Sequence, residues 1–129
     1  MSKILVVDDS PMMRDGTARL LGDRGYTVST AENGKKAWSM LYAEQQDLIV
    51  LDFLTPQMCD LTFLRMLRAH HHWKDLPVLV RTGLDPDKAV VQEIRNFGVV
   101  DVIGNGNDIV DPLLHEIGVL FPQNPEATA

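Results

Sequence analysis

The chain has 129 residues, 45% apolar and 23% charged, and carries a net charge of -6. That composition suits one globular domain that buries a core without disulfide or structural metal, and Cys59 has no cysteine partner to bridge with. Apolar runs such as Leu48 to Leu51 are far too short to span a bilayer, and the charge has the wrong sign for a nucleic-acid surface. The Met1-Ser2-Lys3 start lacks a signal-peptide layout, so a cytoplasmic location is expected, without direct nucleic-acid or membrane contact.

In chain order, short β-branched runs alternate with stretches of helical period, the pattern of a parallel α/β sheet. The strands read as Ile4 to Val7, Thr27 to Thr30, Leu48 to Leu51, Val78 to Val80 and Val99 to Ile103. Four are nearly continuous in apolar residues, as strands covered on both faces must be, whereas Thr27 to Thr30 mixes in Thr and Ser and reads as an edge. Ser10-Pro11, Asp85-Pro86 and Asp111-Pro112 each place a capping side chain before a proline at a first helical position. Gly22, Gly25 and Gly98 fall where helices one and four should stop. Residues 1–121 form the expected domain, and 122–129 read as a tail or truncated linker.

Polar residues cluster at the carboxyl ends of the predicted strands: Asp8 and Asp9 after the first, Asp52 after the third and Thr82 after the fourth. That edge of an open parallel sheet is where ligands bind. If strands one, three and four are neighbours, three carboxylates crowd one pocket, and an all-oxygen group of that kind suits Mg²⁺ or Mn²⁺. Taken singly, each aspartate would read as a helix or turn cap.

Ile4-Leu5-Val6-Val7-Asp8-Asp9-Ser10, Leu48 to Pro56 around Asp52, and Pro77 to Gly83 around Thr82 together resemble the receiver domains of bacterial two-component response regulators, from about Lys3 to Leu120. The resemblance implies a flavodoxin-like (CheY-like) doubly wound sheet of five parallel strands, order 2-1-3-4-5, flanked by five helices. It implies a phosphoryl group accepted on Asp52 from a sensor histidine kinase or phosphotransfer protein. It further implies Mg²⁺ held by Asp8, Asp9, Asp52 and the backbone carbonyl of Leu54, with the Thr82 hydroxyl on a phosphoryl oxygen. Such a domain is not an enzyme beyond promoting its own phosphorylation and dephosphorylation. A homodimer through helix four, strand five and helix five would be a further partnership of this kind.

Several positions depart from the family pattern. Asn105, in Gly104-Asn105-Gly106-Asn107, stands where receivers usually place a lysine, and no lysine follows Lys88. An amide donates a hydrogen bond but brings no charge; the glycine-rich loop offers backbone N–H groups or is a plain connector. Val102 replaces the usual aromatic residue, and Cys59-Asp60 stands where Asp-Gly is common. Arg81 is unusual in an apolar strand. Alternation predicts that it faces away if Thr82 faces the phosphoryl group, its stem snorkelling over the helix layer. His70-His71-His72 reads as a solvated helix end rather than a metal site. Two other readings stand beside the phosphoacceptor. One is a degenerate receiver acting as a phosphorylation-independent interaction or dimerisation module. The weaker is an aspartyl-phosphate hydrolase, which would want its two carboxylates one residue apart on a strand, whereas Asp8 and Asp9 are adjacent.

Overall fold

A computed structural model describes residues 2–53, 58–82, 88–103 and 110–122. Strands β1 (Lys3–Val7), β2 (Thr27–Ala31), β3 (Leu48–Phe53), β4 (Val78–Thr82) and β5 (Asp101–Ile103) alternate with helices α1 (Pro11–Asp23), α2 (Gly34–Ala43), α3 (Met58–Ala69), α4 (Lys88–Arg95) and α5 (Val110–Leu120). The five strands form one parallel sheet in the order β2-β1-β3-β4-β5, so the Thr/Ser-rich second strand is an edge, as its composition predicts.

Alternation sorts the core into two layers. Leu5, Val7, Ile49, Leu51, Val78 and Val80 face α2, α3 and α4, packing on Ala37, Leu41, Leu64, Leu67 and Ile94. Ile4, Val6, Leu48, Val50 and Leu79 face α1 and α5, packing on Leu21, Leu113 and Ile117. The second layer matters for function: continuing its parity to the strand ends leads from Val6 to Asp8, from Val50 to Asp52 and from Leu79 to Arg81.

Local punctuation follows the sequence in part. The Ser10 side chain accepts from the Met13 backbone N–H, with Pro11 as the first residue of α1. Gly25 and Gly98 take left-handed conformations at φ 91° and 70°, whereas Gly22 lies inside α1, which runs one residue further. The fifth helix begins at Val110, so Pro112 is its third residue rather than its first; first-turn N–H groups have no intrahelical acceptor, so the proline costs no bond there. The Asp85-Pro86 cap lies outside the described residues.

Two side-chain groups brace the connection after α3. The Arg68 guanidinium donates to the carbonyls of Phe97 (2.6 Å), Trp73 (3.0 Å), Leu76 (2.9 Å) and Gly98 (3.4 Å), tying α3, the loop before β4 and the end of α4 together. His70 stacks on Trp73 at 4.2 Å between ring centroids and meets Trp38 and Tyr42 edge-on, so it is half-buried, while His71 and His72 are exposed. The first histidine of the triplet is therefore an aromatic packing residue, not part of a solvated end.

Candidate phosphoacceptor pocket

At the carboxyl edge of the sheet, β1 hands over to Asp8, whose backbone N–H still pairs with the Ala31 carbonyl at 3.0 Å. Asp8 is fixed from several sides: one carboxylate oxygen accepts from the Ser10 N–H at 2.9 Å, and its carbonyl accepts from Arg14 Nη1 at 2.9 Å. Asp52 belongs to β3 itself, which runs two residues beyond the apolar run because Asp52 and Phe53 pair with Arg81 and Thr82 of β4. Val7 pairs with Leu51, so Asp8 and Asp52 follow side by side, and both carboxylates reach the same guanidinium.

Arg81 does not face away. Its residue is 3% exposed, and its guanidinium lies in the pocket: Nε donates to Asp52 Oδ2 at 3.0 Å, while Nη2 reaches Asp8 Oδ2 at 3.5 Å and Thr17 Oγ1 at 2.9 Å. Register partners on adjacent parallel strands share a face, so the parity that governs Arg81 is that of Asp52, not of Thr82. Thr82 pairs with Phe53 and follows the other parity; its buried hydroxyl donates to the Ile103 carbonyl at 3.4 Å. Thr17, on the buried stripe of α1, completes the arginine's cage and drew no attention as sequence. A buried guanidinium demands acceptors, and that demand is the signal that would have linked Arg81 to the strand-end carboxylates.

The electrostatics are those of two acids and one base out of water. Burial pushes the Asp52 carboxyl up to about 7, the nearby Asp8 adds to the rise, and Arg81 opposes it. Asp52 Oδ1 is buried with no hydrogen-bond partner. The other three oxygens of the two carboxylates are engaged: Asp52 Oδ2 and Asp8 Oδ2 by Arg81, Asp8 Oδ1 by Ser10.

Asp8 and Asp52 are buried, and Asp9 beside them is exposed. Among the described residues, no three His, Cys, Asp or Glu side chains stand close enough to hold a metal ion. Asp8 and Asp52 have the chemistry for a divalent cation, and the open Oδ1 of Asp52 fits one. Leu54, Gly83 and Asn105 lie outside the described residues, and the side chains of Cys59 and Asp60 are likewise not described. Val102 packs partly buried against the α2/α3/α4 layer.

Residues 4–108 match the model of the response regulator receiver domain. The chain belongs to that family. Over 83 residues this receiver domain is 40% identical to the response regulator MprA of Mycobacterium ulcerans (strain Agy99), a match covering 64% of the chain and 35% of MprA. It thus spans about a third of the length of the curated relatives it matches. The chemotaxis protein CheY4 of Vibrio cholerae has a similar structure: TM-score 0.82, 26% identity, covering 94% of this chain and 99% of that one. The response regulator TrrA of Thermotoga maritima, solved in complex with Mg²⁺-BeF, superposes with a TM-score of 0.77 at 26% identity, covering 94% of this receiver and all of TrrA's chain. No described helix is long and apolar enough to cross a membrane.

Proposed function

We propose that this receiver accepts a phosphoryl group on Asp52 from a sensor histidine kinase or a phosphotransfer protein. The observation that carries the reading is Asp52 Oδ1, a buried oxygen without a donor at the carboxyl edge of the sheet. An unsatisfied buried acceptor costs free energy, and functional sites are where such costs persist. In the transfer, a carboxylate oxygen of Asp52 bonds to phosphorus as the bond from phosphorus to the donor's imidazole nitrogen breaks, the electron pair staying on the nitrogen. Asp8 holds its place through Ser10 and Arg14, and the Thr82 hydroxyl exchanges its long bond to Ile103 for a phosphoryl oxygen.

Mg²⁺ is the cofactor assigned by this reading, held by Asp8, Asp9 and Asp52 with the Leu54 carbonyl. When bound, it offsets the repulsion between the carboxylate and the incoming phosphoryl oxygens. Residues 1–121 act as the receiver unit and 122–129 as its tail or linker. The activity is limited to the domain's own phosphorylation and dephosphorylation, in the cytoplasm, with self-association through α4, β5 and α5 as the further contact. One observation favours the alternative of a phosphorylation-independent interaction module: Arg81 already neutralises Asp52.

Intact mass after incubation with acetyl phosphate and Mg²⁺ decides between them. A gain of one phosphoryl group, absent in Asp52→Asn, is expected. An unchanged mass after prolonged reaction would leave the interaction module as the function.

A further inference from the structure

We propose that Arg81 is the resident cation of this pocket, and that Arg81 and a divalent metal ion hold the Asp8–Asp52 pair in mutually exclusive states. The inference rests on the pocket reading above only for the kind of cation that enters. Its test uses no phosphoryl donor, so its failure and a failure to phosphorylate are separate results.

The oxygen inventory, taken with the repulsion between two cations, leads to exclusion. Of the four carboxylate oxygens of Asp8 and Asp52, two are held by one guanidinium and a third by the Ser10 amide. Only Asp52 Oδ1 is open. A hard divalent cation needs several oxygen ligands, and Asp9, exposed at the rim, cannot supply them alone. A metal ion that draws a second oxygen from this pair meets either Arg81 or Ser10 on that oxygen, whose remaining lone pair is all that is left to share. The Ser10 bond is a backbone contact at the start of α1, fixed by the N-cap; the arginine is a side chain and is the group that can yield. Placing a dication beside a buried guanidinium also sets like charges together in a poorly screened site.

Arg81 has somewhere to remain when it yields. Its Nη2, which lies 3.0 Å from Asp52 Oδ2 and 3.5 Å from Asp8 Oδ2, also donates to Thr17 Oγ1 at 2.9 Å, an acceptor that belongs to neither carboxylate. Metal entry then frees Asp52 from its ion pair while the guanidinium stays on the α1 side of the pocket.

The test is titration of the full chain with MgCl₂ alone, followed by the NMR signals of arginine Nε–H groups and by melting temperature, in the natural protein, Arg81→Gln and Arg81→Lys. Arg81→Gln should bind Mg²⁺ at least tenfold more tightly, while Arg81→Lys, which keeps the competing charge, stays within a few-fold of the natural protein. In the natural protein the Arg81 Nε–H signal should move in step with metal binding. Should Arg81→Gln fail to fold, that signal and the Arg81→Lys affinity decide. A folded Arg81→Gln that binds no more tightly than the natural protein, an Arg81→Lys that binds tenfold more tightly, no binding by any of them, or saturation of the natural protein with the Arg81 signal unmoved would each overturn the proposal.

Discussion

Asp52 of β3 and Arg81 of β4 are direct register partners, and the guanidinium of one closes on the carboxylate of the other at 3.0 Å with almost no solvent contact. Removing one member of a buried ion pair strands the other, which costs about 3 to 5 kcal/mol. Here the stranded carboxylate has a remedy, because burial already raises its proton affinity. Arg81→Gln should therefore destabilise by roughly 3 kcal/mol at pH 8 and by clearly less at pH 5, where Asp52 takes up a proton. Urea denaturation at the two pH values measures the difference; an equal loss at both would show that Asp52 does not titrate between them.

Asp52 itself makes stability depend on pH. Its folded value, about 7, lies above the ordinary carboxylate value of 3.8, so the folded state binds the proton more tightly than the unfolded state does. The contribution is fully present below about pH 4 and is lost as pH rises through 7. Asp52→Asn cannot ionise and escapes that loss. The stability of Asp52→Asn relative to the natural protein should rise by roughly 2 to 4 kcal/mol from pH 4 to pH 8, read from denaturation midpoints at each pH. A flat difference would place the carboxyl in its ordinary range.

The same titration bears on the chemistry. A protonated carboxyl is a poor nucleophile and a poor metal ligand, so at Mg²⁺ well below saturation the rate of phosphorylation by acetyl phosphate should climb across pH 6 to 8 as Asp52 ionises. A rate already level at pH 6 would contradict this.

Arg68 offers a prediction away from the pocket. It satisfies four backbone carbonyls drawn from two connections that no other described side chain joins in this way. Arg68→Ala should cost about 2 to 4 kcal/mol. Arg68→Lys should recover less than half, since one ammonium cannot reproduce the planar fork. Recovery by lysine to the natural stability would mean that charge alone, not geometry, is what the carbonyls require.

Much of the architecture was legible because it rests on apolar pattern. Runs such as Ile4 to Val7 and Leu48 to Leu51 are buried on both faces, and the Thr/Ser content of Thr27 to Thr30 marks the edge position it occupies. The approach of Asp8 to Asp52 follows from that same strand order. Alternation does separate Arg81 from Thr82; what the sequence does not show is the register, which sets Arg81, not Thr82, opposite Asp52. Burial separates the neighbouring pair in a way the sequence does not show: Asp8 continues the buried parity of Ile4 and Val6, while Asp9 is exposed. Arg68 has no sequence signature, since its acceptors are main-chain carbonyls that any sequence possesses.

The Arg68 clasp ties the exit of α4 to another helix. Its carboxyl-terminal side runs through Phe97 and the left-handed Gly98, whose carbonyls are held by a side chain rooted in α3. The eight residues of Lys88–Arg95 make a rod about 12 Å long, so a single guanidinium couples the position of that whole rod to α3, and a change at Arg68 is felt in two helices at once.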